Sequence, residues 1–215
     1  KDVIDTGEKV YCATEGGLFS YNKADNSIQK TSGIRGLSDN GIQRIAYSKE
    51  NNVLLILYRN ANIDIVTGNE IFNLSDIKRK QIPADKTINN VLFSGNLAYL
   101  SCGFGIVVVN LEQKEIKDTY YIGNEGDYLS VSDIATDANY LYAATANGIY
   151  KARASESNLQ DYNNWTRETS IPHADQKFNQ IEFFKGKIIA NYTPDKWYED
   201  EMYQLNGNVW TPFLP

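Results

Sequence analysis

Side chains able to do catalytic or ligating chemistry are few in this chain, and they are scattered. His173 is the single histidine, and it follows Pro172 in a connecting loop. A lone loop imidazole with no cysteine near it in sequence is expected to be a solvated surface residue, not a metal ligand or part of a triad. Cys12 and Cys102 are the two cysteines. They fall at different positions of the internal repeat described below, so two buried free thiols are expected instead of a disulfide. Glu199-Asp200-Glu201 is the densest carboxylate run. Adjacent residues on one loop make a solvated acidic turn, whereas the carboxylates of glycoside hydrolysis come from separate strands. No phosphate-binding glycine loop, HExxH pair or EF-hand loop is present. The expectation is no catalytic residue, no metal and no cofactor.

Binding chemistry is better represented. Arg59, Lys78, Arg79, Lys80 and Lys86 are cations, and Phe104, Tyr120, Tyr121, Trp197 and Tyr198 are aromatic residues, all in segments that read as turns or connections. Cations beside exposed aromatic faces suit an anionic saccharide or a protein partner. The candidate ligand-binding set is therefore Arg59, Lys78, Arg79, Lys80, Phe104, Trp197 and Tyr198. The competing reading makes Lys78-Arg79-Lys80 a solvated loop and packs the aromatic rings inside. A site needs a fold that carries these distant loops to one face.

A repeat supplies such a fold. Tyr140-Leu141-Tyr142-Ala143-Ala144-Thr145-Ala146-Asn147-Gly148-Ile149-Tyr150 reads as two strands around an Asn-Gly turn. The same hairpin appears at Val10–Phe19 and at Ala98–Val107, with Gly17, Gly105 and Gly148 in register at intervals of 88 and 43 residues. A weaker copy, Leu57–Ile63, puts Asn62 in the glycine position. A period of about 43 residues built from strands is the length of a propeller blade. The expected fold is all-β: a β-propeller of four-stranded antiparallel blades, five of them in residues 1–215, at about 1–32, 41–75, 87–122, 130–169 and 177–214.

Residue patterns support that division. Val53-Leu54-Leu55-Ile56-Leu57-Tyr58 and Ile106-Val107-Val108-Val109 show no polar alternation, so both faces of these strands should be covered. Stacked blades do this. First and second strands recur at an eight-residue interval, Val3 to Tyr11, Val91 to Tyr99, Ile134 to Tyr142 and Ile181 to Ile189. The outer hairpin of the fourth blade is long and polar, and the fifth carries an insert at residues 193–200. A sandwich accounts for short strands but not for a fixed period. No stretch keeps helical spacing for ten residues.

Composition limits the function classes. At 42% hydrophobic and 22% charged residues the chain is an ordinary globular one. Its net charge of −6 makes nucleic acid a poor partner. No run approaches the length of an apolar membrane span. The chain begins at Lys1 without a leader, which suggests a processed protein or a piece of a longer one.

Gly36-Leu37-Ser38-Asp39-Asn40, followed by Ile42 and Ile45, resembles the start of the propeller repeat in Bacteroidetes two-component regulators. Asn62-Ile63-Asp64, Asp76-Ile77-Lys78-Arg79-Lys80, Tyr99–Val108 and Ile116–Gly123 look closer to the PorZ family of the type IX (Por) secretion system. The likeness covers roughly the first 125 residues. It implies a secreted, non-catalytic binding or scaffold propeller at the outer-membrane surface or in the periplasm. The partners implied are a sortase-like protease, other secretion-complex proteins and anionic lipopolysaccharide. It also implies a seven-bladed ring, with further blades, a second propeller and a small β domain beyond residue 215. A periplasmic ligand-sensing propeller of a hybrid two-component regulator is the alternative reading, and a propeller hydrolase or lyase is the third.

Overall fold

A computed structural model describes residues 1–14, 16–31, 36–196 and 198–213. Among these residues twenty strands form five four-stranded antiparallel sheets, each ordered as in the chain, and the fold is an all-β partial propeller. The blades are β1 (Asp2–Asp5), β2 (Lys9–Thr14), β3 (Gly17–Asn22) and β4 (Ile28–Thr31); then β5 (Ile42–Ser48), β6 (Val53–Tyr58), β7 (Ile63–Thr67) and β8 (Glu70–Leu74). The third has β9 (Ile88–Ser94), β10 (Leu97–Cys102), β11 (Gly105–Asn110) and β12 (Glu115–Tyr120). The fourth has β13 (Val131–Thr136), β14 (Tyr140–Thr145), β15 (Gly148–Arg153) and β16 (Thr166–Arg167). The fifth has β17 (Phe178–Phe184), β18 (Lys187–Tyr192), β19 (Glu201–Asn206) and β20 (Val209–Pro212). One helical turn, α1 (Asp76–Arg79), stands in the connection after the second blade, where the sequence reads as plain loop.

The chain divides into two compact units. The first holds Lys1–Ile88, Phe93–Ala98 and Val109–Ile116; the second holds Asn89–Leu92, Tyr99–Val108 and Lys117–Pro215. In the first, Leu18, Leu37, Ile42, Ile45, Leu54, Ile56 and Tyr58 share one apolar core. All six residues of β6 are buried, as its unbroken apolar run requires. In the second, Tyr142, Ile149, Ile171, Phe178, Ile181, Tyr203 and Trp210 form the corresponding core.

The repeated glycine takes the positive φ that the sequence suggests, but one place beyond the two-residue turn. Gly148 is already the first residue of β15, paired with Thr145, so the two loop residues are Ala146 and Asn147. Thr145 Oγ1 donates to the Gly148 carbonyl at 2.7 Å and accepts from the Asn147 amide at 3.0 Å, closing the loop. The glycine is required both by its backbone, with φ of +107° at Gly148 and +146° at Gly105, and by crowding. A Cβ on Gly148 would stand 2.1 Å from the Ala174 carbonyl oxygen, and one on Gly105 would stand 2.3 Å from that of Tyr120. Ala174 lies in the connection before β17, whereas Tyr120 is the last residue of β12 in the same blade.

First strands carry a second regular feature. Register skips between Ile42 and Arg44, Val131 and Asp133, and Phe178 and Gln180, leaving a polar residue, Gln43, Ser132 or Asn179, as a bulge. These strands then bond to one another through side chains. In the first unit Asp2 Oδ2 accepts from the Ile45 amide (3.1 Å), and Gln43 Nε2 donates to the Ile88 carbonyl (3.2 Å). In the second, Asn89 Nδ2 donates to the Val131 carbonyl (2.7 Å) and Asn90 Nδ2 to Asp133 Oδ1 (2.6 Å). Asp133 Oδ2 accepts from the Ile181 amide (3.1 Å). The eight-residue interval marks each hairpin but not its facing pair: Val3 faces Cys12, and Tyr11 faces Ile4.

Candidate functional site

The basic cluster of the first unit is built on α1. Ile77 is 2% exposed and anchors the turn from below, which leaves Lys78, Arg79 and Lys80 on its outer side. Lys86 Nζ donates to the carbonyls of Lys78 (2.7 Å) and Lys80 (3.2 Å), so a fourth cation closes the open end. The expected solvated loop is thus a held turn.

Two of these cations meet carboxylates. Lys78 Nζ lies 2.6 Å from Asp39 Oδ2, and Arg79 lies 3.3 Å from Asp76. Asp39 also accepts from Asn60 Nδ2 (2.7 Å) and Asn62 Nδ2 (3.2 Å), which come from the β6–β7 hairpin. Arg59, the residue before Asn60, is exposed, and its amide donates to the Gly41 carbonyl at 3.1 Å. Arg59 and Lys78 therefore sit on segments tied to one carboxylate. Burial pushes the Asp39 carboxyl up. Hydrogen bonds from Lys78, Asn60 and the Asn40 amide, with the Lys78 charge, outweigh it and hold the group down at about 2.

Beneath this lies a second carboxylate, Asp64, fully buried. Its Oδ2 accepts from the Ser38 amide (2.9 Å) and the Tyr58 hydroxyl (2.6 Å), and its Oδ1 from Asn73 Nδ2 (3.0 Å). Burial first, then Asp64, pushes the Tyr58 phenol far up. No substrate reaches a group so enclosed, and its bonds lock the Gly36–Asn40 segment onto the second blade. Asp39 and Asp64 are the residues that sequence reasoning missed. The signal was present, since both belong to segments singled out for their resemblance.

The aromatic members belong to the second unit. Phe104 is fully buried, with its ring 6.3 Å from that of Tyr121, so it offers no open face to a ligand. It sits at a hairpin tip, where exposure is expected, but it is packed inward with Tyr121 as a ring neighbour. Tyr198 is 65% exposed. Trp197 lies outside the described residues. His173 is not simply solvated, as a lone loop histidine would be. Its ring stacks on Tyr192 at 4.1 Å, and Nε2 lies 3.3 Å from Glu201 Oε2, which also accepts from the Tyr203 hydroxyl. Cys12 and Cys102 are both free, and Cys12 is only partly buried. Among the described residues no three His, Cys, Asp or Glu side chains gather as metal ligands do. The first unit offers paired cations and hydrogen bonds, and the second, taken by itself, an exposed phenol at Tyr198; each is the chemistry of binding.

Among the described residues no helix is long and apolar enough to cross a membrane. No curated protein sequence matches the chain. Among solved structures, PorZ of Porphyromonas gingivalis, described as an essential bacterial surface component of the type IX secretion system, is 26% identical with a TM-score of 0.84. That match covers 99% of this chain and 28% of PorZ. The extracellular domain of the putative one-component system BT4673 from B. thetaiotaomicron is 16% identical with a TM-score of 0.65, over 100% of this chain and 28% of its own. AztD from Citrobacter koseri is 14% identical with a TM-score of 0.52, over 72% and 44%. These two share the fold alone. The chain spans under a third of the length of the first two. Residues 10–166 match the family model for the TSS9, PorZ, N-terminal β-propeller domain, and the chain belongs to that family.

Proposed function

We propose that the chain is a non-catalytic binding propeller of the type IX secretion machinery, working at the outer-membrane surface as one part of a longer protein. Its role is to hold a protein partner, the sortase-like protease of the attachment complex or a neighbour of it, near anionic lipopolysaccharide. One observation carries this reading: a family match over residues 10–166. The likeness to a surface component of that system over 99% of the chain is consistent with it.

The cluster on α1 is the proposed contact, with Arg59 of the same unit as a further member; Tyr198, in the second unit, is an exposed aromatic residue considered by itself. Exposed ion pairs contribute only about 0–1 kcal/mol each, so a useful site needs several cations acting together. Immobilised lipopolysaccharide and the purified protease test this by surface plasmon resonance. Replacing Lys78, Arg79 and Lys80 by Ser should weaken binding about tenfold at low salt, and the difference should shrink above about 0.1 M salt as charges are screened. Failure of the unaltered chain to bind either probe sinks the function. Equal binding by the triple variant removes only the cluster.

A further inference from the structure

A cavity of about 500 Å³ opens within the second unit, and no residue of the basic cluster lines it. Its floor is apolar and buried, made by Ile122 (1% exposed) and Trp165 (5%). Its rim carries Asn124 from the connection between β12 and β13, and Asn147 from the β14–β15 loop. Tyr162 comes from the long outer hairpin of the fourth blade, Arg167 from β16, and Asp175 from the connection before β17.

The walls are held by backbone and buried contacts. Besides the close approach of Gly148 to Ala174, a Cβ on Gly123 would stand 2.5 Å from the Asp127 carbonyl oxygen. Gly126 lets the same turn lie against the Tyr162 ring, where an added Cβ would be 3.4 Å away. Trp165 Nε1 donates to the Leu159 carbonyl at 2.9 Å, and the Asp161 carboxylate accepts from the Asn163 amide at 2.9 Å, fixing the hairpin that presents Tyr162. The rim differs. Among the described residues, the polar side-chain atoms of Asn124, Asn147, Tyr150, Tyr162 and Arg167 make no hydrogen bond or ion pair within the chain. A held frame with solvent-facing polar side chains, uncommitted within the chain, around an open hollow is what a preorganised binding site requires.

The lining also selects a ligand class. An apolar ligand would cover these amides and the guanidinium without giving them partners, at a cost of about 1–3 kcal/mol for each group. A polyanion meets Arg167, but Asp175 offsets that charge, and no other ionised side chain lines the cavity. What fits is an uncharged, hydroxyl-rich ligand with one apolar face. Planar amide, guanidinium and carboxylate groups each bond two neighbouring hydroxyls, and a phenol ring covers the C–H face of a pyranose. We propose that this cavity binds a short neutral saccharide, with Tyr162 as the stacking face and Arg167, Asp175, Asn124 and Asn147 as hydroxyl partners.

Isothermal titration of the whole chain with cellotriose, mannotriose, chitotriose, trigalacturonate and an acidic decapeptide tests the proposal. At least one neutral trisaccharide should bind. Tyr162→Ala and Arg167→Gln should each weaken it about tenfold or more, with melting temperatures unchanged because both residues are exposed. Raising salt should change the affinity by less than about twofold. The Lys78, Arg79 and Lys80 triple variant should bind the saccharide normally, which separates this site from the proposed secretion role. Absence of any neutral binder, binding of trigalacturonate or peptide alone, or affinity unaltered in both single variants would overturn the assignment.

Discussion

Asp39 takes hydrogen bonds from Asn60, Asn62 and Lys78, residues 21, 23 and 39 positions away. The ionised form is favoured in the folded state, since the carboxyl is held at about 2 against an ordinary 3.8. A lowered pKa contributes stability that is complete above the unfolded value and is lost as pH falls through the folded one. The window is therefore about pH 4 down to 2. Asp39→Asn should cost about 1–2 kcal/mol at neutral pH and should flatten the decline of melting temperature across that window. A variant that still declines as steeply as the parent would show that Lys78 and Asn60 do not stabilise the charge.

At the level of elements, the first strands are joined by side chains as well as by packing. Asp133, 7% exposed, accepts from the Asn90 side chain and from the Ile134 and Ile181 amides. Replacing it with Ala leaves these donors without that acceptor, each at about 1–3 kcal/mol when buried. Asp133→Ala should therefore lower stability by at least about 2 kcal/mol in chemical denaturation. Asp2→Ala, at a half-buried strand near the chain start, should cost less. Equal losses at the two positions would mean that the contacts around Asp133 are redundant. This arrangement leaves a trace in the sequence, because Ile-Gln-Arg-Ile, Val-Ser-Asp-Ile and Phe-Asn-Gln-Ile each place two polar residues between apolar ones. Simple alternation allows one, and the extra residue is the bulge. α1 leaves almost no trace, since a single turn shows no periodicity and depends on the burial of Ile77.

For the whole molecule, the reading as a binding propeller requires chemical silence. The His173–Glu201–Tyr203 group has an imidazole, a carboxylate and a phenol, but among the described residues no serine or cysteine is hydrogen-bonded to it. Screens of glycoside, ester and peptide substrates should show no turnover above background. Turnover abolished by one carboxylate substitution would reverse this. The −6 net charge bears on the same scale: long-range attraction of polyanions is weak, so anionic ligands must be held by local cations such as those of α1.

Composition and period by themselves determined the fold class and its strands. β6 begins and ends where the apolar run Val53–Tyr58 places it, because apolar runs and turn residues act locally. The repeat was legible for the same reason, since each blade solves one packing problem again. Tertiary structure alone added the second reason for the repeated glycine, because the Ala174 carbonyl that excludes a Cβ at Gly148 comes from 26 residues later. It also decided that Phe104 is buried while Tyr198 is exposed, and that Lys78 and Arg79 stand against Asp39 and Asp76. A side chain's chemistry is written in the sequence. Its neighbours are set by which connections cross it, and one sequence does not pair residues that distant chain segments bring together.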